Sequence, residues 1–264
     1  TPHYHYVSRP PFTEAEAVRR AIYLAGQTDT PLYIAHMTCR EAIAELQKAK
    51  GTGQRVSGET CTHYLTTTKE VLDNPDFNEA AKFVCSPALR DREDCEALWQ
   101  ALSDGLLTAV SSDHCGIDVA ELKQAGRNDF TQIPNGSPGA GDRLHMVWTE
   151  GVCTGKLTRQ KFVDVIATQP AKINGIYPRK GTLAVGSDAD VVIFDPNYEG
   201  TVHLADNPNG VDYNLYEGRR QSGRVETVLL RGQVVVENAK FVGRYGQGKF
   251  IPANMYASGY ENRK

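Results

Sequence analysis

The chain has 264 residues, with 29 Lys and Arg against 32 Asp and Glu for a formal net charge of −3, and it is 40% hydrophobic and 23% charged. With a mean hydropathy of −0.43 and a pI near 6.2, this composition excludes a disordered or membrane-embedded chain and disfavours a basic nucleic-acid binder. No apolar run approaches the roughly 20 residues of a membrane span, and Thr1-Pro2-His3-Tyr4-His5 lacks a basic-then-apolar signal segment, so a cytoplasmic protein is expected.

Six cysteines, Cys39, Cys61, Cys85, Cys95, Cys115 and Cys153, lie without CxxC spacing; reduced thiols are expected and a structural zinc knuckle is not. In chain order, residues 13–27 open with Thr13 and Glu16 in capping-box spacing and continue with apolar residues at helical period, which predicts a helix. Residues 32–37 form an apolar run of the buried parallel-strand kind, and 40–50 return to helical composition before Gly51. A strand over 55–61, a helix near 91–104, a strand over 106–113 and a helix from about 158 to 167 continue the alternation. Repeated β-then-α units predict an α/β fold with a parallel sheet and helices outside it. Beyond residue 180 the pattern changes. Residues 182–186 and 190–195 read as short strands, 225–230 and 234–236 as a hairpin, and 243–264 as a docking arm or disordered tail. These shifts divide the chain into residues 1–180, a small β-rich domain over 181–250 and a tail over 251–264.

Ligands gather at the C-terminal ends of strands in α/β sheets and barrels, which singles out His36 and Asp113, each closing an apolar strand. Neutral imidazole and carboxylate are ligands of catalytic zinc, and a carboxylate beside such a metal also carries protons. Taken singly, each has a blander alternative, a structural hydrogen-bonding His or a turn-capping Asp. His3-Tyr4-His5 spells an HxH metal pair, but no apolar strand precedes it and Ser8-Arg9-Pro10-Pro11 follows, so a surface loop is expected there. Cys61-Thr62-His63 is given packing and turn roles, while for His114 and Cys115 beside Asp113 a supporting or structural role and a catalytic one stand equally open. There is no GxSxG, Walker A or GxGxxG signature.

Seven segments fall in a recognisable order: Ser8-Arg9-Pro10-Pro11, Tyr33-Ile34-Ala35-His36, Gly58-Glu59-Thr60-Cys61, Ser86-Pro87-Ala88-Leu89-Arg90, Ser112-Asp113-His114-Cys115, Ile133-Pro134-Asn135-Gly136 and Tyr177-Pro178-Arg179-Lys180-Gly181. Over almost its whole length the chain resembles the dihydropyrimidinases and the similar D-hydantoinases of the amidohydrolase superfamily. The resemblance implies the C-terminal part of a metal-dependent (β/α)8 TIM-like barrel, followed by a small β-rich domain. It implies two metal ions, usually Zn2+, with His36 a ligand of one and Asp113 a ligand of the other. The family's remaining ligands, an HxH pair, a carboxylated lysine and a further histidine, precede the matched part, so a fragment of a longer enzyme is expected, in keeping with the Thr1 start.

By the same resemblance Asp113 is the catalytic proton carrier, and Ser86 and Asn135 hold the ring amide and imide groups of a cyclic amide substrate, a dihydropyrimidine or a hydantoin, largely through main-chain contacts. A homotetramer is implied, with neither nucleic acid nor membrane as partner. The cytoskeletal response-mediator proteins, non-catalytic relatives, are the alternative; they lack the metal-binding Asp and depart from Asn in the Ile-Pro-Asn-Gly motif, both of which this chain keeps. Allantoinase and dihydroorotase share the metal logic and match the motifs less well. Gly116-Ile117, where many relatives have Pro-Phe or Thr-Phe, is a departure at the pocket wall.

Overall fold

The computed structural model describes residues 1–254. Its first sheet has three parallel strands, β1 (Leu32–Ile34), β2 (Val56–Cys61) and β3 (Ala109–Ser111), in the order β1-β2-β3. Register is fixed by Ile34 opposite Gly58 and by Glu59 opposite Ala109. The α/β expectation holds, with strands shorter than the apolar runs suggested. Central β2 is buried on both faces except at Glu59, as a helix-covered parallel strand requires.

The helices follow from apolar periodicity. α1 (His3–Val7) is a single turn and α2 (Pro11–Gln27) buries Ala15, Val18, Ile22 and Ala25 on one face. α3 (Arg40–Gly51) buries Ala42, Ile43, Leu46 and Ala49. After the short α4 (Thr62–Thr66) and α5 (Phe77–Ala81), α6 (Arg92–Ser103) buries Cys95, Leu98, Trp99 and Leu102. These faces meet the strands in one core that includes Leu46, Val56, Leu98, Leu107 and Val110. The expected Thr13–Glu16 capping box does not form. Pro11 starts the helix, because a proline fits the first helical position where its missing N–H is no loss, and the Thr13 hydroxyl donates to the Pro10 carbonyl instead.

α7 (Arg143–Val147) and α8 (Arg159–Val163) each run on into a π-helical turn, Trp148–Val152 and Asp164–Thr168, before α9 (Gln169–Ile173). Pro170 near the start of α9 lacks the N–H that would bond the Ile166 carbonyl, so the helical register changes just before it.

A four-stranded antiparallel sheet follows, with β4 (Val191–Thr201), β5 (Arg220–Leu230), β6 (Gln233–Glu237) and β7 (Lys240–Phe241) in sequence order. Arg231 and Gly232 (φ 50° and 78°), then Asn238 and Ala239 (φ 51° and 61°), form the two hairpin turns; two successive left-handed residues match the twist of the strands they join. The expected hairpin is present. Residues 182–186, expected as a strand, form no strand; Lys180 pairs with Asp188 and Asp190 across that segment and holds it as a turn. Gly223 (φ 76°) leaves room for the Phe194 and Trp148 rings, which a Cβ there would meet at 2.4 and 2.8 Å. Residues 255–264 of the expected tail lie outside the described residues, and Asn254 donates its N–H to the Gly175 carbonyl. No helix among the described residues is long and apolar enough to cross a membrane.

Candidate active site

His36 and Asp113 lie each two residues beyond a strand end, His36 after β1 and Asp113 after β3, and both have left-handed backbone (φ 43° and 46°). Non-glycine residues adopt this region at a cost, and such strain concentrates at functional sites. With β2 between their strands, the two corners stand two strand spacings apart, roughly 10 Å across the sheet. Polar bonds beneath them lock the strand ends. Glu59 of β2 accepts the Tyr33 hydroxyl from β1 at 2.7 Å and the Ser111 hydroxyl from β3 at 2.8 Å. Ser111 Oγ also meets Cys61 Sγ at 3.1 Å.

The corner after β1 is held from outside by a buried ion pair. Glu14 of α2 accepts the Thr38 backbone N–H at 2.7 Å and the Thr38 hydroxyl. Arg90 donates to Thr38 Oγ1 at 2.9 Å and to Glu14 at 3.1 Å. Arg90 also donates to the Arg9 carbonyl. Arg9 and Arg90 belong to motifs named above and Thr38 lies two residues beyond one, which gives those motifs a structural job. An open, mainly apolar cleft of about 620 Å³ runs beside α2 and β1, lined by His36, Ser86, Arg90 and Glu14 among others.

Ser86 and Asn135, distant in sequence, are brought together: the Ser86 hydroxyl donates to Asn135 Oδ1 at 2.9 Å. Asn135 Nδ2 donates one hydrogen to the Ile133 carbonyl at 3.1 Å, leaving a second hydrogen on that nitrogen and the lone pairs of Ser86 Oγ for a ligand. Both side chains are exposed. Asp113 is exposed as well, and neither it nor Asn135 lines the cleft that contains His36 and Ser86.

His3-Tyr4-His5 is helical rather than a loop, and His5 is 1% exposed. His5 Nε2 bonds the Cys85 carbonyl at 2.7 Å, and His3 Nδ1 meets Asp73 at 2.7 Å. The Ser8-Arg9-Pro10-Pro11 that follows spells a loop and masks this one-turn helix, which Pro2 caps. Burial, reinforced by the charges of Arg9, Lys123 and Arg90, pushes the His5 pKa down to about 4 against the opposing carbonyl bond. Cys61-Thr62-His63 continues β2 into α4, with the Thr62 hydroxyl donating to the Ser111 carbonyl. His63 is buried, its Nε2 has no hydrogen-bond partner, and burial together with His36 lowers its pKa to about 3. His114 Nδ1 accepts the N–H groups of Gly139 at 3.3 Å and Ala140 at 3.4 Å. Cys115 and Cys153 are exposed and the other four thiols buried, all six free.

Two contributors had little signal in the sequence. Glu59 is the one charged residue of an otherwise uncharged strand, which could have marked it. Lys123, in a polar loop segment, reads as a solvated charge, yet it is 0% exposed. Its Nζ donates to the carbonyls of Val84 at 3.1 Å and Gly136 at 2.8 Å, and burial lowers its pKa to about 8.

Among the described residues no group of three or more His, Cys, Asp or Glu side chains could hold a metal ion. A structural zinc centre takes four donors and a catalytic one three from protein. His36 and Asp113 therefore fit as part of such a site and do not amount to a whole one.

A family model described as "Amidohydrolase family" matches residues 24–235. A D-hydantoinase of Ralstonia pickettii is 48% identical over 97% of this chain and 55% of its own length. A dihydropyrimidinase of Arabidopsis thaliana is 40% identical over 95% of this chain and 47% of its own length. Among solved structures, a D-hydantoinase superposes with a TM-score of 0.95 at 47% identity, covering 97% of this chain and 56% of that one. The dihydropyrimidinase of Brevibacillus agri NCHU1002 gives 0.94 at 43% identity, covering 98% and 55%. The chain thus spans about half the length of the relatives it matches. With the family model spanning most of the chain, the chain belongs to the amidohydrolase family, and nearly all of it is similar to D-hydantoinases and dihydropyrimidinases.

Proposed function

We propose that this chain supplies part of the active site of a metal-dependent cyclic amidase that opens dihydropyrimidine or hydantoin rings by hydrolysis. The observation that carries the proposal is the matched pair of left-handed corners presenting an imidazole and a carboxylate from strands on either side of β2. In this reading β1, β2 and β3 are strands of a (β/α)8 barrel, and the antiparallel sheet belongs to a small β-rich domain over 181–250.

His36 and Asp113 would hold one divalent metal ion each, the other ligands, a carboxylated lysine among them, coming from outside this chain. When bound, such ions supply Lewis acidity toward the ring amide carbonyl and make water acidic enough to attack near neutral pH. Asp113 takes the proton of the attacking water on its carboxylate and returns it to the leaving ring nitrogen, so the carboxylate is regenerated as the C–N bond breaks. Asn135 donates its remaining side-chain hydrogen to a ring carbonyl, and Ser86 accepts a ring N–H. Their mutual hydrogen bond fixes the spacing of these two contacts.

With all metal ligands assembled, Asp113→Asn should lower dihydrouracil ring opening about 100-fold or more, the range lost with a general acid–base group. Near-normal turnover would refute the assigned role. The 264-residue chain alone should show little or no turnover and bind zinc weakly; robust turnover by it would refute the need for outside ligands.

A further inference from the structure

The carbonyls that receive Lys123 lie next to the two proposed substrate contacts. Val84 precedes Ser86 by two residues, and Gly136 follows Asn135 directly. Nζ bridges both carbonyls, and the Gly136 N–H donates to the same Val84 oxygen at 3.0 Å. The lysine's own turn is locked in place, since a Cβ on Gly126 would stand 2.0 Å from Ile133 Cγ1. Leu72, Ala81, Val84 and Ile133 form an apolar cluster at these loops. Among the described residues Lys123 makes no ion pair; Nζ donates to main-chain carbonyls. Burying an ammonium without a carboxylate is costly, and an apolar side chain of similar length would fill the volume without that cost. The charge is explained by what it holds.

We infer that Lys123 is a positioning residue that sets the spacing of the Ser86 and Asn135 loops, and thereby of the two hydrogen-bonding contacts offered to a cyclic amide. This rests on the substrate role proposed for Ser86 and Asn135. The tether itself stands on the bonds of Nζ, so the two can fail separately.

The test is amide hydrogen exchange on the 264-residue chain. In Lys123→Met the Gly136 N–H should exchange at least tenfold faster, while amides of β2 stay within twofold of wild type. A Gly136 rate that is unchanged, or that rises only in step with β2, would overturn the inference, because a purely global loss of stability moves both together. If Lys123→Met does not fold, Lys123→Gln carries the same comparison with a shorter donor. In the wild-type chain, the Lys123 ammonium protons should exchange slowly and show nuclear Overhauser contacts to Gly136; fast exchange without such contacts also overturns it. In a separate arm, the Asp113→Asn protein with all metal ligands assembled is titrated with dihydrouracil. Chemical-shift changes centred on Ser86 and Asn135 support their substrate role. Absence of any change removes that role, while the exchange result still decides the tether.

Discussion

Replacing Glu14 by Gln should cost this protein more than any surface ion pair could, because Glu14 and Arg90 are only 10% and 5% exposed at the side chain. The change keeps the shape and removes the charge. It leaves the guanidinium of Arg90 buried and forces an amide N–H against it, and it weakens the acceptance of the Thr38 N–H. Removing one partner of a buried pair costs about 3–5 kcal/mol, against roughly 0–1 kcal/mol for an exposed pair. On a total stability of about 5–15 kcal/mol, that is a large fraction, and at roughly 2–4 °C per kcal/mol it lowers Tm by about 10 °C. Urea unfolding of the wild type, Glu14→Gln, Arg90→Met and the double variant measures it. The double variant should be no less stable than the worse single one, since the two side chains act as one unit. A Glu14→Gln midpoint within about 1 kcal/mol of wild type would show that the pair behaves as though solvated and would refute the reasoning. Thr38 follows His36 by two residues and Arg90 follows Ser86 by four, so the same ion pair braces both loops that reach the cleft.

His5 gives a pH dependence whose sign follows from its burial. Its folded pKa, near 4, lies below the ordinary value of about 6.5, so the unfolded chain takes up a proton first and stability is lost as pH falls from 6.5 toward 4, by about 3 kcal/mol in full. Urea unfolding across that range should show a shallower slope for His5→Leu than for wild type; equal slopes would rule His5 out as the source. Gly58 is a packing position in the centre of β2, where a Cβ would meet Met37 Sδ at 2.6 Å and Leu46 Cδ2 at 3.2 Å. Gly58→Ala should therefore destabilise by about 1–3 kcal/mol through overpacking, and a thermal scan showing Tm unchanged or raised would contradict this.

What was legible in the sequence is what depends on short-range pattern. The faces of α2, α3 and α6 and the alternation of strand and helix follow from apolar spacing, and the β5–β6 hairpin from its Arg-Gly turn. His36 and Asp113 could be picked out as candidates because strand ends in parallel sheets are where polar residues serve ligands, and both do lie just beyond such ends. What stayed hidden depends on long-range partners. His5 reads as an exposed loop residue until Cys85, eighty positions on, supplies its hydrogen bond. Residues 182–186 have strand composition but are claimed by the Lys180 ion pairs on either side of them. Lys123 looks solvated because nothing near it in sequence announces the two carbonyls that surround it. The Ser86–Asn135 bond spans 49 positions and has no local signature.

The left-handed corners at His36 and Asp113 have a consequence for how variants of this protein are screened. Most side chains placed there keep a strain of roughly 1 kcal/mol, whereas glycine adopts the same backbone freely, at an entropic cost of similar size. Glycine at either corner is therefore nearly silent in any selection for folding or solubility, yet it deletes the imidazole or the carboxylate outright. A library sorted on thermal stability would pass such clones as fully intact. For the same reason Asp113→Gly is expected to fold well and serves as a blank for testing the role proposed for Asp113 apart from loss of structure.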